Sequence, residues 1–225
     1  MSYALRRTAQ HLTIVLGPTQ THLLSPDGTW SRHNLVDWCT SMVNKNDIVI
    51  DVGAHMGLFA LVMAAHCREV HAFEASYPSY QQLCANALVN HAPHVRARHA
   101  ALGAPDERGA RRTLFVQNEI GKASLNQIAY APAHRKEEVT LQCLDDLVQM
   151  SPDTHKIGLL KITVEGHEFE VLQGARRIIR THRPTILFEC EEINHPRVFR
   201  FMNDIEYHMT RVNGYPTLFL GTPPP

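Results

Sequence analysis

Asp47-Ile-Val-Ile-Asp51 is a short apolar run that breaks at once into Val52-Gly-Ala-His-Met-Gly57, and then into the apolar, alanine-rich stretch Leu58–Cys67. A run this short, bounded by a glycine turn, reads as a strand buried on both faces, and strands are buried that way in a parallel sheet covered by helices. The rest of the chain repeats the pattern. Glu69–Glu74 reads as a second strand. Pro78 opens a helix at the position where a missing N–H is least missed. In that helix Tyr80, Leu83, Cys84, Ala87 and Leu88 give one core-facing stripe at helical spacing. His94–Ala101 reads as a third strand, Lys156–Thr163 as a further buried one, and His167–Arg180 as a helix with Leu172, Ala175 and Ile179 on one face. Pro184–Cys190 is the next strand, with two more around Tyr207–Val212 and Thr217–Leu220. Alternation of this kind predicts an α/β protein with a doubly wound, mostly parallel sheet.

Two regions stand outside the rhythm. Residues 1–46 read as a small N-terminal cap, with Leu35, Val36, Trp38 and Cys39 on a short helix, ahead of a main domain over 47–222. From Gly103 to Asp145 the sequence reads as a hairpin-like insertion, with half-exposed strands at Arg112–Gln117 and Glu137–Gln142. Asn118, Lys122 and Ser124 near its tip are expected to close over an acceptor substrate.

Composition narrows the function classes. Lys plus Arg and Asp plus Glu both number 22, so no net field draws in nucleic acid or acidic lipid. The five cysteines lack zinc-type spacing and read as reduced thiols. No stretch approaches the ~20 apolar residues of a membrane span. A cytoplasmic protein is the expectation, with no nucleic-acid or membrane partner and a homodimer left open.

In an open α/β sheet, ligands lie beyond the carboxyl ends of the strands. The turn after the first strand is therefore the place to look. Gly53 suits a positive φ, and Gly57 would let the next helix approach its strand closely. A dinucleotide fingerprint would place a second glycine where His55 stands, and that ring would crowd a pyrophosphate, which argues against a nicotinamide dehydrogenase. Asp51 suits a ligand ammonium, and Glu74, ending the second strand, suits two ribose hydroxyls. A second cluster, Lys161-Ile-Thr-Val-Glu-Gly-His-Glu168, ends a later strand beside Glu189. Acids at adjacent strand ends suggest proton handling. Glu168 reads more simply as an acid at the positive end of a helix.

The series Asp51-Val-Gly-Ala-His-Met-Gly57, Ala72-Phe-Glu74-Ala75, Asn86, Asn90, Ala100-Ala-Leu-Gly103, Leu144-Asp-Asp-Leu147, Leu160–Glu168, Val171–Ala175 and Arg183–Glu189 resembles the FkbM-type methyltransferases. The resemblance implies the Rossmann-like class I fold with a seven-stranded sheet, S-adenosylmethionine as methyl donor with S-adenosylhomocysteine as product, and O-methylation of a glycan or secondary metabolite. It implies that Asp51, Gly53, Ala54, His55 and Gly57 surround the methionine part, that Glu74 with Ala75 holds the ribose, and that Ala100 and Ala101 border the adenine. One position departs: where the family reads Lys-Ile-Asp-Val-Glu-Gly, this chain has Thr163. A hydroxyl is a poor base and a weak ligand for hard ions, so no metal is expected. The catalytic candidates are then Glu165 as first choice of base, His167 as second, Glu189, Lys161 as an orienting group, and Thr163 itself. The competing expectation is a cofactor-binding protein without transferase activity, acting as a partner or regulator.

Overall fold

The structure, a computed structural model, describes residues 4–9, 11–17, 20, 23–30, 32–116, 123–125, 135–153 and 155–224. The chain opens with the strands β1 (Ala4–Arg7) and β2 (Thr13–Leu16), then the helix α1 (His33–Thr40). There follow β3 (Ile48–Val52), α2 (Leu58–Ala64), β4 (Glu69–Glu74), α3 (Tyr77–Val89) and β5 (Val95–His99). The middle carries β6 (Ala101–Leu102), β7 (Arg111–Val116), β8 (Ala123–Ser124) and β9 (Arg135–Gln142). The last third holds α4 (Leu144–Leu147), β10 (Ile157–Ile162), α5 (Glu168–Gly174), α6 (Arg176–His182), β11 (Thr185–Glu189), α7 (His195–Asp204), β12 (His208–Arg211) and β13 (Leu218–Thr222).

Seven strands form the main sheet in the order β12-β13-β11-β10-β3-β4-β5. β11, β10, β3, β4 and β5 run parallel, and β13 and β12 are antiparallel additions at one edge. Strand order reverses between β3 and β10, so the site expected at a switch point lies at the centre of the sheet. All of β3 is buried, as its apolar run demanded. Ile48, Ile50 and Val52 pack on the face covered by α5, α6 and α7, whereas Val49 faces α1, α2 and α3. Burying alternate side chains on opposite faces is what makes a continuous apolar strand stable here.

The structure corrects three sequence expectations. The helix expected over His167–Arg180 is two helices, broken at Ala175 (φ −106°, ψ 9°). Gly174 lies against the Gly103 carbonyl, where a Cβ would stand 2.2 Å from its oxygen. The Asp145 carboxylate then accepts from the Arg177 and Ile178 N–H groups at 2.7 and 3.0 Å, capping α6 from outside the helix. The stripe expected on α3 is also displaced: Leu88 is 76% exposed, while Gln82, Leu83 and Asn86 are buried. Their amides act as a substitute strand edge for β2. Asn86 Oδ1 accepts from Val15 N–H at 2.7 Å, Asn90 Oδ1 from Thr13 N–H at 2.8 Å, and Gln82 donates to the Val15 carbonyl. Third, between β11 and β12 the chain forms α7, a helix the sequence pattern does not announce. It buries Val198, Phe201 and Met202.

The insertion is a real hairpin, β7 pairing antiparallel with β9. Asn118 and Lys122 lie outside the described residues. All five cysteines are free, and Cys39, Cys67, Cys143 and Cys190 are buried. Among the described residues no helix is long and apolar enough to cross a membrane.

Candidate active site

A cavity of about 350 Å³ opens over the carboxyl ends of β3, β4, β10 and β11. That is within the ordinary range for a small-molecule site, roughly 300–1,000 Å³. Gly53, Ala54, His55, Glu74, Ala75, Ala100, Ala101, Lys161, Thr163, Glu165, His167 and Glu189 all line it. Asp51 and Gly57 are not among its lining residues.

The turn after β3 is held open by backbone no other residue would adopt. Gly53 sits at φ +76°, and a Cβ there would stand 1.9 Å from the Thr163 carbonyl oxygen. Gly57, at φ +89°, admits close approach as expected, but by Leu83 of α3 rather than by its own strand. Between them His55 takes φ 52°, a conformation costing a non-glycine residue ~1–2 kcal/mol. Two anchors hold it there. His55 N–H donates to Glu74 Oε2 at 2.7 Å, and Asn86 Nδ2 donates to the Met56 carbonyl at 2.8 Å. The His55 ring lines the cavity, and its Nε2 is buried without a hydrogen-bond partner among the described residues. Burial, with the nearby Lys161 charge, lowers its pKa to about 4, so the ring is neutral.

Glu74 ends β4 almost wholly buried, its other oxygen accepting from Ser76 N–H at 2.8 Å. Burial pushes its pKa up to about 7 against the pull of those two N–H groups. The described part of the insertion closes this side of the cavity: Leu114, Val116, Val139 and Leu141 form a core with Ala101, and Ala75, Ala123 and Leu125 pack on it. Of the tip residues expected to close over an acceptor, Ser124 is the one described, and it reaches the loop after β10, where it meets the Glu165 carbonyl. The insertion's hydrophobic side chains find their partners beyond β4 and β5.

At the end of β10 the residues are tightly engaged. Lys161 Nζ donates to Asp51 Oδ1 and to Thr163 Oγ1, both at 2.7 Å. Asp51 is fully buried and does not line the cavity, and the cation it meets here is this lysine. Lys161 orients a carboxylate, as expected, but the protein's own. The loop that follows holds Glu165 at φ 53°. Glu168, at the start of α5, braces it: Oε1 accepts from Gly166 N–H at 3.1 Å and from Val164 N–H at 3.4 Å. Ser124 Oγ donates to the Glu165 carbonyl at 2.6 Å. The simpler reading of Glu168 holds for its place at a helix start, yet its carboxylate serves the loop.

Burial raises Glu168 from 4.5 to about 7. Between those values the folded chain keeps a proton that the unfolded chain has released. Stability therefore falls as pH climbs from about 4.5 to about 7, by on the order of 3 kcal/mol for this group, and levels off above. Glu168→Gln keeps the accepting oxygen and removes the titration. Calorimetry should show its Tm above the parent's by on the order of 5 °C at pH 8, with the two equal at pH 4.5. An increment of the same size at both pH values would contradict the assignment.

The remaining two candidates are both paired. His167 Nε2 lies 3.0 Å from Glu107 Oε2 and Nδ1 lies 3.6 Å from Glu170 Oε2. Both nitrogens face carboxylates, and the residue lines the cavity. Glu189 accepts from both terminal nitrogens of Arg32, at 3.2 and 3.4 Å, and from Thr217 Oγ1 at 3.2 Å. Sequence reasoning missed Arg32 and Glu107, since neither sits in a motif. Among the described residues no group of three or more His, Cys, Asp or Glu is arranged to hold a metal ion.

Comparison with known proteins bears on this arrangement. The Methyltransferase FkbM domain matches residues 51–216, most of the chain and the carboxyl ends of β3, β4, β10 and β11. The chain belongs to the FkbM methyltransferase family. It is 32% identical over 165 residues to 31-O-demethyl-FK506 methyltransferase FkbM of Streptomyces tacrolimicus, covering 59% of this chain and 60% of that protein. To the methyltransferase sdnD of Sordaria araneosa it is 29% identical over 170 residues, 61% of this chain and 64% of that one. The chain thus matches less than two thirds of the length of these curated relatives. Among solved structures it resembles the FkbM methyltransferase of Methylobacillus flagellatus, with a TM-score of 0.57 at 15% identity over 80% of this chain and 44% of that one. It also resembles a Pyrococcus abyssi tRNA (uracil-54, C5)-methyltransferase in complex with S-adenosyl-L-homocysteine, with a TM-score of 0.51 at 11% identity over 99% and 44% of the two chains. At such identities the shared property is the fold, that of the class I methyltransferases.

Proposed function

We propose that this FkbM-family chain binds S-adenosylmethionine and methylates a hydroxyl oxygen of a small molecule or glycan. The observation that carries the reading is Glu74. Its carboxylate lines the cavity at the end of β4, aimed by two backbone N–H donors, next to a glycine-framed turn. A buried carboxylate so fixed is suited to accept from paired ribose hydroxyls. Ala100 and Ala101 give the flat apolar wall an adenine needs, and the partnerless His55 Nε2 offers a polar contact to the amino-acid end. The residues thus fit the cofactor. Oxygen as the acceptor atom is supported by the name of the Streptomyces relative, a 31-O-demethyl-FK506 methyltransferase.

When bound, this cofactor supplies an electrophilic methyl group on a sulfonium. The chain's own contribution is then to hold an acceptor oxygen in line, worth effective molarities on the order of 10⁵ M or more, and to take up its proton. Glu165 is the group for that proton, being a cavity-lining carboxylate on a loop whose strained backbone is held from three sides. His167 is occupied by Glu107. Calorimetry with S-adenosylmethionine, S-adenosylhomocysteine and NAD, followed by a radiolabelled-methyl assay over an acceptor panel, tests the reading. Tight binding of the first two with no transfer to any acceptor would favour the non-catalytic binder instead.

Thr163 is where that choice is sharpest. Its hydroxyl sits against the Lys161 ammonium, so Thr163→Asp would place a second carboxylate on a cation already present to compensate it. The variant should fold with Tm within a few degrees of the parent. Methyl transfer should rise by about tenfold or more, with the ~10²–10⁴ a base can add as its upper range. A fall in transfer at unchanged cofactor affinity would mean that the threonine hydroxyl is itself adapted to the acceptor.

A further inference from the structure

The two ends of the cavity are closed by different parts of the chain. The insertion covers the end beyond β4 and β5. The opposite end, over β10 and β11, is closed by Leu23, Trp30, Arg32, Leu35 and Val36, all from before the region matched to the FkbM domain. Leu35 and Val36 pack in one core with Leu187 and Leu218, and Leu23 and Trp30 lie against it. Among the described residues, nearly everything this segment brings to the cavity is apolar. The exception is Arg32, whose guanidinium meets Glu189 through two parallel contacts while Thr217 Oγ1 donates to the same carboxylate. Both groups line the cavity, and their opposite charges face each other.

We infer that this N-terminal segment is the acceptor-selecting wall, and that the Arg32–Glu189 pair makes it select an uncharged, largely apolar alcohol. The inference rests on the function proposed above. Arg32 is a positioning and specificity-determining residue: it neutralises Glu189 and fixes its rotamer, so an entering hydroxyl meets an oriented acceptor and donor without a net charge. A carboxylate ligand would gain Arg32 only against the repulsion of Glu189, and an ammonium the reverse. Specificity of this kind comes from the mismatched charge as much as from the fitting group. A guanidinium is suited to the role because its planar fork engages both carboxylate oxygens at once.

The test uses three probes of one shape, benzyl alcohol, benzoate and benzylamine. Their binding to the full chain saturated with S-adenosylhomocysteine is measured by ligand-observed NMR. The parent should prefer the alcohol by tenfold or more over either ion. Arg32→Leu, which takes the guanidinium away from Glu189, should shift the preference toward benzylamine by at least tenfold. Glu189→Gln, leaving Arg32 uncompensated, should shift it as far toward benzoate. Arg32→Leu combined with Glu189→Leu should restore rejection of both ions. Affinity for S-adenosylhomocysteine should stay within about threefold throughout. If it binds normally but the probe ranking is the same in parent and variants, the inference is wrong and the function proposed above stands. If S-adenosylhomocysteine fails to bind the parent, that reading fails by itself, and the same probe ranking on the chain without it then decides the wall. Should Arg32→Leu fail to fold, the shift toward benzoate in Glu189→Gln, which keeps size and hydrogen bonding, decides between the two outcomes.

Discussion

Replacing Lys161 with methionine is expected to cost the protein ~3–5 kcal/mol of stability, the range found when one partner of a buried ion pair is removed. Asp51 is fully buried, its Oδ1 accepts the Lys161 ammonium at 2.7 Å, and its Oδ2 has no other hydrogen-bond partner among the described residues. Without the lysine a carboxylate remains inside the sheet with nothing to balance it. The ammonium also stands 5.3 Å from the centre of the Phe59 ring, a further contact that is lost. For a chain of this size the fall in Tm should be about 10 °C. Asp51→Asn in the same background should recover much of it by removing the stranded charge, and denaturant unfolding of all four forms closes the cycle. A loss below ~1 kcal/mol would place the pair with ordinary surface ion pairs, and its role as the pin between β3 and β10 would have to be given up.

The second large effect concerns Glu74. Glu74→Gln should weaken S-adenosylhomocysteine by about 10- to 100-fold, since hydrogen bonds to a charged group are worth ~1.5–3 kcal/mol. Alanine is the less informative change. Glu74 also accepts from the His55 and Ser76 N–H groups, and truncation would leave both donors buried and unpaired at ~1–3 kcal/mol each. The glycine turn would loosen along with the ligand contact. With the pKa of Glu74 raised to about 7 by burial, cofactor affinity of the parent should also decline as pH falls below about 7, while that of Glu74→Gln stays flat. Calorimetry from pH 5.5 to 8.5 reads both. An unchanged affinity in the glutamine variant would remove Glu74 from the site.

Most of what positions the site was legible in the sequence because it depends on short-range pattern. The apolar run Asp47–Asp51 could satisfy its burial only between two helical layers, and Gly53 and Gly57 marked the turn where positive φ was needed. Glu74 was visible as an acid at a strand end, and strand ends face the ligand in any such sheet. The alternation of elements fixed a parallel sheet without any knowledge of which strands were neighbours.

What the sequence could not carry were pairings set by distant segments. Asp51 and Glu189 looked alike as acids near strand ends. Only the register of β10 against β3, which sets Lys161 beside Asp51, turned one into a buried structural charge. Only the return of residue 32 to residue 189 made the other half of a clamp. His167 carried no sign in its motif of Glu107, which the fold brings within 3.0 Å of it. The helical stripe on α3 pointed to Leu88, yet burial went to Asn86, because a neighbouring strand edge needed hydrogen-bond partners that leucine cannot supply. Local sequence therefore determined the strand and helix order, the glycine turn and the acid at the end of β4, since each follows from the conformational preference or polarity of a few adjacent residues. Tertiary structure alone decided which charges pair and which segment closes each end of the cavity, because those energies depend on contacts between residues up to 157 positions apart.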